Sequence, residues 1–201
     1  VLHPIFVAEI LGYKFEKDLK HIASIRTGLF DRPQPKGEIV YLQFRHFDEG
    51  GALMPNPYPD LNYSDKVKKH LLFPGDVLFA AKGSNNFATT YLSNYPAAVA
   101  SSSFFVIQLL EKNILPEFLT WTLNSPSAQE YFKSKAKGSG IPSVTKTALE
   151  ELAVPIPNIE IQQKILYIDQ LRKKEMYLYE RLAKLRNDQT QLSHAQYLNN
   201  L

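Results

Sequence analysis

Residues 152–192 read LAVPIPNIEIQQKILYIDQLRKKEMYLYERLAKLRNDQTQL, and this stretch divides the chain in two. Pro157-Asn158 supplies a stop followed by a favourable helix N-cap residue, whose side-chain oxygen can accept from a free N–H of the first turn. Beyond it Leu171, Leu178, Leu185 and Leu192 recur every seventh residue. With these as d positions, the a positions are Ile168, Glu175, Leu182 and Gln189. The seam is half apolar and persists over several heptads, the pattern of a coiled coil. An amphipathic helix lying on its own domain is the alternative. A helix of roughly 40 residues is about 60 Å long at 1.5 Å per residue. A domain of about 150 residues is only about 30–35 Å across. Such a helix outruns its domain, so its stripe must be buried on another helix. The spacing therefore predicts a domain over 1–157 and a long spacer or dimerisation helix over 158–201, with Ile168, Leu171, Leu178, Leu182, Leu185 and Leu192 in the pairing seam.

Upstream of Pro157 the rhythm is different. Short apolar runs alternate with Pro, Gly, Asn and Asp, which reads as sheet with turn-rich connections. Ile22-Ala23-Ser24-Ile25, Ile39-Val40-Tyr41-Leu42, Val77 to Ala81 and Phe104-Phe105-Val106-Ile107 are expected strands. Arg32-Pro33-Gln34-Pro35-Lys36-Gly37 is a loop, because two prolines and a glycine defeat helix and ladder alike. Pro74-Gly75-Asp76 is a strong turn. From Val77 to Leu110 the only charged residue is Lys82, so most of that region is interior. Pro116 to about Phe132 has a helical rhythm, with Pro116 suited to a first turn. The fold class is α+β: a mixed-sheet domain followed by a long C-terminal helix.

Composition narrows the chemistry. The chain has 201 residues, 44% of them hydrophobic, enough for a substantial core. It has no cysteine, which excludes disulfides, thiol catalysis and cysteine-based zinc sites. The five histidines, His3, His21, His46, His70 and His194, never stand at i, i+4 and no carboxylate completes a ligand spacing, so no metal site is expected. No apolar run approaches the roughly 20 residues of a membrane span. The start, Val1-Leu2-His3-Pro4, lacks the layout of a secretory signal, and a cytoplasmic protein is expected. Asn56-Pro57-Tyr58-Pro59 departs from the Asn/Asp-Pro-Pro-aromatic motif of DNA amino-methyltransferases, since its second proline lies beyond the aromatic. Lys137-Gly138-Ser139-Gly140 does not follow a strand and open a helix, so it is a weak signal for a phosphate loop.

The net charge is only +3, so any nucleic-acid argument rests on where the charges sit. From Tyr131 to Leu149 there is no Asp or Glu, while Lys133, Lys135, Lys137 and Lys146 alternate with Gly138, Ser139, Gly140, Ser143 and Thr145. Lysines neutralise phosphates, and small hydroxyl residues donate to phosphate oxygens. A solvated loop has the same composition. Lys82-Gly83-Ser84-Asn85-Asn86 follows a buried strand and sits at a sheet rim, where Lys reads guanine acceptors and Asn pairs with adenine. Such a sequence also makes an ordinary Gly/Asn turn. In Gln43-Phe44-Arg45-His46-Phe47, a strand would put Gln43, Arg45 and Phe47 on one face, making Arg45 a candidate base or phosphate contact. The candidate DNA contacts are thus Arg45, Lys82, Ser84, Asn85, Asn86, Lys133, Lys135, Lys137, Ser139 and Lys146.

Several segments in fixed order resemble the recognition half of type I restriction-modification specificity (S, HsdS-like) subunits. They are Leu19 to Gly28, Tyr41-Leu42-Gln43, Pro74 to Gly83, Ala100 to Phe104, Pro116-Glu117-Phe118-Leu119 with Leu123-Asn124-Ser125, Gly138 to Thr145, Leu152 to Pro157, and Ile161-Gln162-Gln163-Lys164-Ile165. The Val-Pro-x-Pro run with its Gln-Gln-Lys-Ile helix start is the most specific of them. The resemblance covers about residues 10–190. It departs at Lys20-His21, where the family usually has Gly-Asp. It also departs in carrying one recognition domain and one spacer where ordinary members carry two of each.

The resemblance implies a non-enzymatic subunit that reads one half of a split double-stranded DNA target. Its spacer would pack antiparallel on a second one, here in a homodimer. Methyltransferase (modification) and restriction subunits would be its partners, and S-adenosylmethionine and ATP would belong to them, with no cofactor on this chain. Two other classes stay open: a protein-interaction module whose loops are inert, and the recognition domain of a fused restriction-methyltransferase. Salt-sensitive DNA affinity separates the first of these; methyltransferase sequence on the same natural chain identifies the second.

Overall fold

A computed structural model describes residues 15–48, 50–83, 85–135 and 142–199. By compactness the chain forms two units, Val1–Gln162 and Gln163–Leu201.

The first unit is built on a four-stranded antiparallel sheet in the order β2 (Ala23–Thr27), β7 (Phe104–Leu109), β4 (Val77–Ala80), β5 (Ala88–Thr90). β4 is buried at every position, as its unbroken apolar run requires of a strand covered on both faces. On one face Leu78, Ala80, Phe104 and Val106 join Val40, Leu42, Ala98 and Ala100, which belong to a parallel pair of β3 (Val40–Leu42) and β6 (Ala98–Ala100). On the other face Phe79 meets Phe132 with ring centroids 4.7 Å apart. A third pair, β1 (Glu16–Asp18) with β8 (Ala153–Pro155), is antiparallel. Parallel and antiparallel pairings coexist, and the α+β class is as the sequence leads one to expect.

Three local readings differ from the structure. Ile22 closes a short helix, α1 (Leu19–Ile22), and the strand begins only at Ala23. Gln43 to Phe47 is no strand: Phe44–His46 is a 3-10 turn, with His46 N–H donating to Gln43 O at 2.9 Å and Phe47 N–H to Phe44 O at 3.0 Å. Its cause is aromatic packing. Phe44 stacks on Phe104 at 5.2 Å and Phe47 lies 5.5 Å from Phe87, so residues three apart must face one cluster. A strand would send them to opposite faces. The helical run after Pro116 is two helices, α3 (Pro116–Leu123) and α4 (Pro126–Lys135). They are separated at Asn124, whose amide both accepts from the N–H and donates to the C=O of Ala88 at 2.8 Å. That pair of bonds occupies backbone groups of strand β5, which ends the sheet. Short helices α2 (Asp65–Lys68) and α5 (Lys146–Glu150) are capped by Ser64 and Thr145, each accepting from an N–H three residues on.

The last helix, α6, runs Ile159–Asn199 as one piece. Asn158 Oδ1 accepts from Ile161 N–H at 3.0 Å, the N-cap expected from Pro157-Asn158. Ile168, Leu171, Leu178, Leu182, Leu185 and Leu192 are all exposed, at 44–66%.

Candidate nucleic-acid interface

The C-terminal ends of β2, β3 and β4 all lie at one end of the sheet. Register requires it: Thr27 faces Phe105, Ala80 faces Phe104, and Leu42 faces Ala100. The turn Ser101 to Phe104, which joins β6 to β7, ties the three exits together. Leu29 N–H donates to Ala100 O at 2.7 Å, Gly28 N–H to Phe104 O at 2.9 Å, Ser101 N–H to Leu42 O at 2.8 Å, and Ala81 N–H to Ser103 O at 3.0 Å. Gly28 has to be glycine here, because a Cβ would lie 2.1 Å from Ser101 O. Backbone bonds to a single turn thus fix the roots of three loops.

The loop after β4 carries Lys82. Ala80 N–H donates to Phe87 O and Asn86 Nδ2 to Ala80 O, both at 2.8 Å, closing a hairpin between β4 and β5. Gly83, at φ +104°, makes its reversal. Lys82 and Asn85 are exposed at its tip, whereas Asn86 is committed to the turn through its amide. Lys82 also forms an antiparallel bridge with Ser143, flanked by Gly83 N–H to Pro142 O and Val144 N–H to Ala81 O, each 2.9 Å. The Lys82 hairpin and the lysine-bearing stretch, two clusters sixty residues apart in sequence, therefore meet.

Lys146 opens α5 just beyond Val144, exposed, 3.5 Å from Glu150. Lys133 and Lys135 end α4, where cations complement the helix dipole, and both are exposed; Lys135 Nζ lies 5.7 Å from the Tyr131 ring centre. Ser84, Lys137 and Ser139 lie outside the described residues. Thr145, expected as a phosphate donor, instead uses its oxygen as a helix cap.

Arg45 sits on the 3-10 turn with its side chain 63% exposed and Nη2 3.5 Å from Asp60 Oδ2. Asp60 in turn accepts from Tyr41 N–H at 2.8 Å. His46 Nδ1 accepts from Gln43 N–H at 3.1 Å, a bond that needs the neutral ring. Burial and the neighbouring Arg45 charge hold the His46 pKa below its ordinary 6.5, outweighing Asp60. The turn that presents Arg45 is thus built for neutral pH. Asn56, at φ +56°, and Tyr58 line an open groove with Asn94, Tyr95 and Pro96, so the Asn-Pro-Tyr-Pro stretch is a surface loop.

Sequence reasoning missed the Ser101–Phe104 turn as the organiser of the loops, although Ala100-Ser101-Ser102-Ser103-Phe104 was in view. It also missed Gln162. That side chain is fully buried, accepts from Leu115 N–H at 2.9 Å, and donates to Asn113 O at 2.7 Å and Pro157 O at 2.8 Å. Among the described residues no group of three or more His, Asp or Glu could hold a metal, and no helix is long and apolar enough to cross a membrane.

Residues 17–185 match the family model for the type I restriction modification DNA specificity domain. The chain is similar to the type I restriction enzyme HindI specificity subunit of Haemophilus influenzae, 35% identical over 106 residues, covering 50% of this chain and 22% of that subunit. Its fold resembles the type I restriction-modification S subunit from M. genitalium, with TM-score 0.56, 18% identity, and coverage of 80% of this chain and 39% of that one. It also resembles a chain from a structural study of complex assembly and conformational transition in the type I R-M system, with TM-score 0.64, 18% identity, and coverage of 89% and 43%. The HsdS subunit from Thermoanaerobacter tengcongensis gives TM-score 0.55 at 16% identity, covering 80% and 37%. The chain thus spans less than half the length of each of these relatives. Matched over most of its length, with its segments folded in the expected order, the chain belongs to the type I restriction modification DNA specificity domain family.

Proposed function

We propose that this chain is the sequence-reading part of a type I restriction-modification complex: it binds one half-site of a split duplex target and is not itself an enzyme. The observation that carries this reading is the convergence of three loop roots on one turn, with Lys82 and Arg45 exposed at the same end of the sheet. In this reading Lys82, Asn85 and Arg45 meet base edges, where Lys and Arg read guanine and Asn reads adenine. Asn86 holds the hairpin. Lys133, Lys135, Lys137, Lys146 and Ser139 hold phosphates, which fix register without reading sequence.

Helix α6 pairs with the same helix of a second copy. Its exposed leucines need a partner, and Glu175 chooses the direction. In a parallel in-register pair each Glu175 would face its counterpart, and two like charges in a seam are costly. An antiparallel pair sets each Glu175 opposite a d-position residue instead. The complex acts in the cytoplasm with methyltransferase and restriction subunits, which supply S-adenosylmethionine and ATP.

A binding panel tests this. The full chain is used to select duplexes from a random-sequence pool, and affinity is measured against salt. We expect log K to fall linearly with log salt. Lys133→Ala should weaken all duplexes alike and reduce the slope by about one. Asn85→Ala should relax preference at one base position, at about 1–3 kcal/mol of discrimination. Failure to enrich any duplex at low salt, or the reverse pattern between the two variants, overturns the reading.

A further inference from the structure

We propose that Phe30 is an apolar wedge that enters the base stack of the bound duplex at one step. The inference rests on the DNA-reading proposal above and adds a contact absent from it. Phe30 is the most exposed large hydrophobic side chain among the described residues, at 76%, although Leu29 beside it is buried at 2%. Its backbone is held on both sides. Leu29 bridges to Ser101, and Tyr41 Oη donates to Leu29 O at 2.8 Å while accepting from Asp31 N–H at 3.2 Å. Lys66 Nζ donates to Phe30 O at 2.9 Å and pairs with Asp31 at 3.0 Å. A ring held out into water on pinned backbone is poised for a contact that the described residues do not supply.

Position and charge select DNA as that contact. Phe30 leaves the sheet two residues after Gly28, at the end where Lys82 and Arg45 emerge. Asp31, the nearest carboxylate in sequence, is held below its ordinary pKa mainly by its hydrogen bond to Lys66, so its charge is matched. Arg32 and Lys36 follow on the same loop, exposed and with no ion pair among the described residues. Proteins part base steps by inserting an apolar side chain between them, and cations on the same loop can meet the neighbouring phosphates. A protein partner is the rival occupant and is an outcome of the test.

The probe is a duplex selected from a random pool by the full wild-type chain, with 2-aminopurine placed in turn at each adenine and pyrrolocytosine at each cytosine. Both fluoresce weakly when stacked. We expect emission to rise several-fold at one step with wild type and with Phe30→Tyr. Phe30→Ala should lose that rise and bind about tenfold more weakly, while melting at the wild-type temperature because the ring is exposed. Wild type that binds with no rise at any position overturns the wedge, as does a rise retained in Phe30→Ala. Unchanged DNA affinity of Phe30→Ala, with loss of a co-purifying methyltransferase subunit, makes the ring a protein contact and overturns it too. Failure of wild type to select any duplex is a different result, and removes the DNA-reading proposal together with this one.

Discussion

Gln162 joins two stretches of backbone through three hydrogen bonds. Its amide supplies one acceptor and two donors, and all are used on the Leu115 N–H and the carbonyls of Asn113 and Pro157. These three groups belong to the entrance of α3 and the entrance of α6, so one side chain locks both helix starts. The bond to Pro157 is buried and the other two are part-buried; a buried backbone group that loses its partner costs about 1–3 kcal/mol and a part-buried one less. Gln162→Ala should therefore cost about 3 kcal/mol or more, read as a lower urea midpoint at unchanged m-value. Gln162→Glu should fare no better, because a carboxylate retains the acceptor and turns oxygen toward two carbonyls. A midpoint within error of wild type for both variants would mean that water or a neighbour replaces the amide. Gly28 makes a comparable point: its lack of a side chain lets the β2 exit touch the Ser101 carbonyl.

At the scale of elements, legibility followed the range of the deciding contact. β4 was readable because burial on both faces writes a continuous apolar run into the chain, and the start of β7 because Phe104 to Ile107 is an apolar run of the same kind. The cap of α6 was readable because Asn158 acts three residues away. The 3-10 turn was not, since Phe44 and Phe47 are drawn to Phe104 and Phe87, forty or more residues distant, while the local pattern of 43–47 is compatible with a strand. The break between α3 and α4 was missed for the same reason: Asn124 answers to Ala88. For the site, Lys82 stood out as a lone charge in an apolar region. Its bridge to Ser143, like the exposure of Phe30, emerges only when the sheet is assembled. Helix α6 carries a prediction of its own. Leu178, 53% exposed in the isolated chain, lies in the middle of the proposed seam, with an apolar d residue on either side. Leu178→Glu should set a charge in that seam and yield monomers by light scattering at concentrations where wild type is dimeric, with helix content of the first unit untouched. Wild type that is monomeric at every concentration, or a variant that still dimerises, removes this seam.

For the whole molecule the consequence is one of symmetry. A closed pair of identical chains is most simply two-fold, and if the chain pairs and binds DNA as proposed, that two-fold axis must map onto the DNA. In the proposed dimer one domain would read its half-site on one strand, and its copy would read the same bases on the other strand, in reverse. The selected target should therefore be an interrupted palindrome, two identical inverted half-sites around a gap whose sequence is free. The measurement is selection from a random pool with the purified full chain and no other protein present, followed by footprinting of the winning duplex. Leu178→Glu makes the inference specific, because a monomer has only one half-site to enrich. Its winners should carry a single half-site, bound more weakly, since the second contact no longer arrives at high effective concentration. Two unlike half-sites from the wild-type chain would mean that a second, different recognition domain completes the target, and that the exposed stripe of α6 meets something other than its own copy.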